Sequence, residues 1–138
     1  MSCVSCFAGD DVEVFSREEA LAGRLIDNVL NGSVSYDSFS VDLLDETRSD
    51  FNSDKLDQVR KFVSAEFGTV SDVKLLSYGR RVDASGNYIG FDDIVFLGKT
   101  SKGWNIVFVF GLVDVMGEPK AAVIHISKAG LTPVASSK

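Results

Sequence analysis

The spacing of apolar residues changes along the chain, from a helical period in the first half to a two-residue period in the second. In residues 16–32 the apolar positions recur three and four residues apart, as on one face of an α-helix. This stripe consists of Leu21, Leu25 and Val29, with Ile26 and Leu30 beside it. Ser16 and Glu19 have the spacing of a capping box, and Asn31-Gly32 supplies a stop. The pattern predicts a helix that begins at Ser16.

Further helical patterns follow before residue 70. The stretch YDSFSVDLLDE, residues 36–46, predicts one short helical segment. Its inward positions are Phe39, Leu43 and Leu44. A full helix is predicted from Ser53 or Asp54 to Phe67, and Gly68 ends it. Its core-facing positions are Leu56, Val59, Phe62, Val63 and Phe67.

After Gly68 the pattern is typical of strands. The candidates are VKLLSYGRRV, YIGFDDIVFLGKT, WNIVFVFGLVDVM and KAAVIHIS, and they are separated by the turn signals DASGN, SKG and GE. No helical pattern separates them, so neighbouring strands pair in antiparallel fashion. The sequence therefore predicts an α+β fold, with helices packed on one face of a curved four-stranded antiparallel meander.

Turn chemistry predicts the register of the second and third hairpins. The loop at residues 101–103 ends in glycine, which pairs Phe96 with Phe108 and Asp92 with Leu112. A two-residue turn at Gly117-Glu118 pairs Phe110 with His125. The first hairpin turns either at residues 85–86 or at residues 84–86, and these registers differ by one residue. The faces of Tyr78, Arg80 and Arg81 therefore stay open.

These registers give the sheet two apolar faces. The helix-facing set is Ile94, Phe96, Trp104, Ile106, Phe108, Phe110 and Leu112. The outer set is Val95, Leu97, Val107, Val109, Ile124 and Ile126. The helices cannot cover both faces, and a contiguous apolar patch of this kind is unusual on a monomer. We therefore expect a homodimer that pairs sheet against sheet through the outer set.

The order of elements is similar to that of a known superfamily. Three stretches carry the resemblance: EEALAGRLIDNVLNG, LDQVRKFVSAEFGTVSDVKLLS and GWNIVFVFGL. Across residues 16–128 the chain resembles the cystatin-like, or nuclear transport factor 2-like, superfamily, and within it small bacterial domains of unknown function. The resemblance implies a cone-shaped cavity between helices and sheet, and it makes a sheet-mediated dimer more plausible. Members include isomerases, dehydratases, binding modules and transport adaptors, so fold alone does not select a function.

Length and charge narrow the function classes. The 138 residues suit a single domain, which we expect over residues 15–131, with a loose arm at 1–14 and a frayed tail at 132–138. The net charge of −6 argues against nucleic acid or an anionic membrane as the main partner. No apolar run approaches the roughly 18 residues of a membrane span.

The paired cysteines Cys3 and Cys6 have several interpretations. A redox motif needs a preceding strand, and only two residues precede Cys3. A metal site needs two more ligands, and His125 is the only histidine in the chain. The end of a lipoprotein signal would make Cys6 the lipidated residue, although no apolar leader precedes it here. We expect a cytoplasmic protein as written, or an exported or lipid-anchored one if a leader was trimmed. No metal or cofactor is expected.

The candidate chemistry is sparse. The resemblance implies that acids, histidine or tyrosine in the cone do any catalysis, and Asp92 and His125 are the weak candidates for a general base. The registers place them on the helix side, about 10 Å apart. A solvated strand start and a sheet-edge histidine explain these two residues more simply. The candidate ligand-binding set is Tyr78, Arg80, Trp104, Phe108 and Phe110.

The expected function is non-catalytic. We expect a ligand-binding or protein-interaction domain that uses the cone cavity, the outer sheet face or both, with a small apolar ligand as the partner of the cone. The first alternative is a small-molecule isomerase or dehydratase that acts in the cone. The second is a structural lipoprotein domain tethered through Cys6.

Overall fold

Helices occupy the first half of the chain and strands the second. The computed structural model describes the backbone of residues 2–129 and the side chains of residues 12–129. The helices are α1 (Ser2–Leu30), α2 (Tyr36–Ser40), α3 (Asp45–Asp50) and α4 (Ser53–Phe67). The strands are β1 (Val70–Val82), β2 (Tyr88–Thr100), β3 (Asn105–Val115) and β4 (Glu118–Ala129). They form one open antiparallel sheet in the order β1-β2-β3-β4. The predicted α+β layout with a four-stranded meander is confirmed.

Helix α1 begins well before the predicted start. It runs without interruption through Ser16, so the N-cap predicted there and the loose arm expected before residue 15 are wrong. The stripe continues toward the N-terminus, because Phe15 packs edge-on against Tyr78 of β1 with ring centroids 4.8 Å apart. This contact with β1 stabilises helical structure before Ser16, although the local capping residues favour a helix that begins there. The tail expected at residues 132–138 lies outside the described residues.

The segment predicted as one short helix is two helices with an extended link. Residues 42–44, between α2 and α3, run beside the edge of β4. The Ala121 amide donates to the Asp42 carbonyl at 2.9 Å, and the Leu44 amide donates to the Ala121 carbonyl at 2.9 Å. This pairing buries Leu43, which is 1% exposed. The edge of the sheet therefore overrides the helical pattern here.

The second hairpin has the predicted register. Phe96 pairs with Phe108 and Asp92 pairs with Leu112, and Gly103 at the end of the loop has a φ of 87°. The first hairpin takes the three-residue alternative, with Gly86 at a φ of 88°. The Asp83 amide donates to the Asn87 carbonyl at 2.8 Å and closes this loop.

The third hairpin turns one residue earlier than predicted. Val115 pairs with Glu118, so Met116 and Gly117 form the corner. Their φ values of 53° and 91° are those of a type I′ turn. The earlier turn shifts the pairing of β4 with β3 by an even number of residues. Because side chains alternate between faces, such a shift alone leaves each β4 side chain on its predicted face.

A bulge in β4 is what reverses the faces. Ala122 is an extra residue between the pairs Leu112–Ala121 and Gly111–Val123. One extra residue turns every later side chain to the opposite face. The prediction that Phe110 pairs with His125 is therefore wrong: its partner is Ile124, and His125 pairs with Val109. Ile124 and Ile126 pack against the core cluster, so their predicted outward orientation is also wrong.

The core lies between the helices and the inner face of the sheet. Phe108 and Phe110 are parallel, with ring centroids 6.5 Å apart. Around them are fully buried residues from both layers: Leu21, Leu25, Phe39, Leu56, Phe67, Ile94, Ile106 and Leu112. The core cluster includes none of the outer residues Val95, Leu97, Val107 and Val109, which are half-buried. The helices thus cover a single face.

We expect Phe108→Ala to lower the free energy of unfolding by about 3–5 kcal/mol, because it leaves a large cavity between two layers. Phe108 is 0% exposed. Leu76→Ala is the control, since Leu76 is 58% exposed on β1 and its loss costs about 0.5 kcal/mol or less. Chemical denaturation measures both. Equal losses in the two variants would contradict this account of the core.

Candidate functional site

Four polar side chains meet where α1 crosses the inner face of β1 and β2. Asp92 of β2 is 0% exposed, and Glu18 of α1 is 3% exposed. The register of β1 pairs Tyr78 with Ile94 and Arg80 with Asp92, which turns both β1 side chains toward the helices. The three-residue first hairpin thus places Tyr78 and Arg80 in the site.

A single hydroxyl joins the two carboxyl groups. The Tyr78 hydroxyl donates to Glu18 Oε1 at 2.6 Å and lies 3.4 Å from Asp92 Oδ2. On the other side of Asp92, Arg80 Nε donates to Oδ1 at 3.2 Å. The Arg80 guanidinium also lies over the ring of Tyr88, 3.9 Å from its centroid. The buried Asp92 therefore has partners on both oxygens.

This arrangement shifts several protonation equilibria. Burial, and then a hydrogen bond with Asp92, raise the pKa of Glu18 to about 8. Burial, and then the hydrogen bond to Glu18, raise the pKa of Tyr78 above its usual value. Burial alone would lower the pKa of Arg80, but its contacts with Tyr88 and Asp92 outweigh this and raise it. At neutral pH the Glu18 carboxyl is therefore mostly protonated and the Tyr78 hydroxyl stays neutral.

The network opens into a cavity of about 340 Å³. Glu18, Arg80, Tyr88 and Asp92 line it, and Arg17 and Asp114 stand among its other lining residues. Val14 and Pro119 add apolar surface. A small molecule in this cavity would meet a neutral carboxyl group, an arginine and an aromatic ring together. The carboxyl group and the arginine can donate hydrogen bonds to a ligand, and Glu18 can exchange a proton with it near neutral pH.

The structure brings together some of the predicted site residues and separates others. Asp92, Tyr78 and Arg80 are in one site. Phe108 and Phe110 are buried in the core and are not part of this site. Trp104 is also elsewhere, with the Lys128 amine 4.8 Å from its ring centroid. The remaining candidate, His125, is exposed on the outer face. Asp92 and His125 therefore lie on opposite faces, and the prediction that both face the helices is wrong.

Glu18 is the site residue that the sequence analysis missed. An N-cap at Ser16 puts residue 18 in the first turn of the predicted helix, where the pattern of residues indicated no role for it. The available signal was its position: Glu18 lies four residues before Ala22 and seven before Leu25, on the buried stripe of α1. An acid on such a stripe indicates either a paired buried carboxyl group or a functional one.

Comparisons with known proteins add no identity. No family model matches the chain, and no curated protein or solved structure matches it. The resemblance to the nuclear transport factor 2-like superfamily therefore stays a prediction.

Within residues 12–129, no group of three or more histidine, cysteine, aspartate or glutamate side chains is placed to hold a metal ion. No described helix is long and apolar enough to cross a membrane. The side chains of Cys3 and Cys6 lie outside the described residues, so the tethered lipoprotein interpretation stays a prediction.

We expect Glu18→Gln to remove a pH dependence of stability. Because the folded protein raises the pKa of Glu18 from 4.5 to about 8, the protonated form is favoured by folding. The stabilisation is complete below the unfolded pKa and is lost as the pH rises toward 8, at up to about 1.4 kcal/mol per pH unit. Urea denaturation between pH 5 and 8 should show this slope in the wild type and not in Glu18→Gln. The exposed neighbour variant Glu19→Gln should keep it; a slope equal in all three proteins would contradict the assignment.

Proposed function

We propose that the protein is a ligand-binding domain of the nuclear transport factor 2-like kind, and that its ligand occupies the cavity beside Glu18 and Asp92. The observation that carries this proposal is the convergence of Glu18, Asp92 and Arg80 on a cavity of about 340 Å³, with the Tyr78 hydroxyl hydrogen-bonded to Glu18. Concave sites with a few convergent polar groups and shifted pKa values are typical of small-molecule sites.

The energetics of the network support a role beyond holding α1 on the sheet. Removing two carboxyl groups from water costs free energy, and their hydrogen bonds do no more than offset this cost. Apolar side chains of similar size would hold α1 against the sheet without that cost. Here the network does not end in a sealed core, since Glu18, Arg80 and Asp92 all line the cavity. A ligand with hydrogen-bonding groups would bind to the polar atoms of these three side chains that face the cavity.

The cavity favours a ligand that is partly polar. The small apolar ligand expected from the sequence required a cone lined by Phe108 and Phe110, and these rings are buried in the core. The cavity pairs the apolar walls at Val14 and Pro119 with polar groups at Glu18 and Arg80. We therefore propose a small molecule that carries a carbonyl or hydroxyl group on an apolar frame.

Ligand-observed NMR with a library of small carbonyl and hydroxyl fragments tests this proposal. Tyr88 lines the cavity and is 43% exposed, so Tyr88→Ala should remove a wall without unfolding the protein. The neighbouring Ile89, at 55% exposed, is not a lining residue and supplies the control Ile89→Ala. Fragments should lose at least tenfold in affinity for Tyr88→Ala and bind Ile89→Ala normally. Fragments that bind both variants alike would sink the proposal.

A second candidate function is proton transfer, as in an isomerase or dehydratase. The pKa of Glu18, at about 8, favours it, because a group that titrates near neutral pH can give and take a proton. Fragments that carry a carbonyl group allow a direct test in D2O. Exchange of their α-hydrogens by the wild type, and its loss in Glu18→Gln, would support catalysis. Binding without exchange would leave a binding domain.

We further propose a homodimer through the outer face of the sheet. Val95, Leu97, Val107 and Val109 form its centre, and the bulge at Ala122 replaces Ile124 and Ile126 with Val123 and His125. Val123 is 45% exposed. A second copy related by a two-fold axis would cover these side chains with the same set. Charged pairs such as Arg81–Asp93 stand beside this apolar centre and would form a polar rim.

We expect Val109→Arg to convert the dimer into a folded monomer, because it places an unpaired charge at the centre of the interface. Light scattering coupled to size-exclusion chromatography measures the mass at tens of micromolar. Lys61→Glu, exposed on helix α4 on the other side of the sheet, is the control and should leave the mass unchanged. A wild type that is already monomeric at this concentration would refute the dimer.

A further inference from the structure

Within the part of the chain that the structure describes, the outer edge of β4 is unpaired along most of its length. Among the described residues, the segment 42–44 pairs with this edge only at Ala121, and residues 123–129 pair on one side alone, with β3. The free side of an edge strand presents an amide and a carbonyl at alternate residues. Residues 123–127 thus offer roughly 17 Å of strand edge, at about 3.4 Å per residue.

The opposite edge of the sheet is protected, and β4 is not protected in the same way. Strand β1 has register shifts in three places, and Asp72 within it has a φ of 53°. Such irregularities prevent another strand from pairing. In β4, no acidic, proline, lysine or arginine residue occurs between Lys120 and Lys128, and the single bulge is at Ala122. Beyond that bulge the register with β3 is regular.

A groove lies beside this open edge. It has a volume of about 370 Å³ and separates α4 from β4 on the helix side. Ile124 and Ile126 form one wall, and Val59 and Phe62 of α4 form the other. Phe62 is 43% exposed, although the sequence predicts that it faces the core. Alternate side chains of an added strand would enter this groove, while its backbone pairs with β4.

The chain already uses this mode of pairing once. The extended segment 42–44 lies parallel to β4, exchanges two hydrogen bonds with Ala121 and inserts Leu43 into the core. Lys128 of β4 and Glu66 of α4 form an ion pair at 2.6 Å, which ties the two elements together beyond Ile126. The open edge between these two contacts has room for a strand of about five residues.

The charge of the lining selects the partner. Among the described residues that line the groove, Lys55 is positively charged and none is acidic, although the whole chain has a net charge of −6. The side chain of His125, which also borders the groove, points to the outer face of the sheet. We propose that this edge and groove bind an extended segment of a partner protein, with alternating apolar side chains and at least one carboxylate. A second copy of this chain fits less well, because symmetric pairing would bring two linings with Lys55 and no carboxylate together.

A phage library of random dodecapeptides, selected on the full-length protein, tests this proposal. Phe62→Glu is the counter-selection target, because it places a negative charge on the groove wall. Leu76→Glu, on the opposite edge strand, is the matched control. We expect enriched peptides with apolar residues at alternate positions and an aspartate or glutamate. Synthetic copies should bind Phe62→Glu at least tenfold more weakly than Leu76→Glu in fluorescence anisotropy. Circular dichroism of both variants checks that they are folded.

Backbone pairing is tested separately from side-chain contact. Methylation of alternate amides in the selected peptide, in each of the two registers, should weaken binding at least tenfold in one register only. Peptide binding should also slow hydrogen exchange within residues 123–127. Three results would overturn the proposal. They are no enrichment over Phe62→Glu, peptide binding that appears only in the variant Leu131→Asp, and exchange protection that depends on protein concentration without peptide.

Discussion

The complete burial of Asp92 is the constraint on which the site depends. A carboxylate in the interior loses its hydration, at an effective penalty of several kcal/mol, and persists only if its oxygens find partners. Arg80 donates to one oxygen, and the Tyr78 hydroxyl lies 3.4 Å from the other. Both come from β1, so the first hairpin must hold its register. Glu18 then completes the network from α1 and links the helix to the sheet. Sheet register, helix position and cavity chemistry thus meet at one buried carboxyl group.

The elements that were predicted well carry their information locally. The loop at residues 101–103 ends in a glycine that must take a positive φ, and this fixed the pairing of β2 with β3. Helix α4 ends at Phe67, where Gly68 provides the stop. Strand order follows from short connections that leave no room for a crossover. In each case a few neighbouring residues determine the geometry.

The elements that were predicted wrongly depend on contacts distant in sequence. The bulge at Ala122 has no local signal, since alanine is ordinary in a strand; it lies beside Ala121, which pairs with residues 42–44 almost 80 positions earlier. Because of that one residue, His125 points to the outer face of the sheet, and Ile124 and Ile126 point to the helix side. The partners of Glu18 are likewise on strands, 60 or more positions away. A register error of one residue therefore misplaced both the candidate base and part of the proposed interface.

The burial of Glu18 makes folding a proton-uptake reaction. The unfolded carboxyl group, with a pKa near 4.5, is ionised at pH 7, whereas the folded one, with a pKa near 8, holds its proton. Each molecule that folds at this pH therefore takes close to one proton from the solvent at this position. The measured heat of folding then includes the heat of ionisation of the buffer that supplies the proton. Calorimetric enthalpies obtained in phosphate and in Tris should differ for this reason, even though the protein forms the same contacts in both.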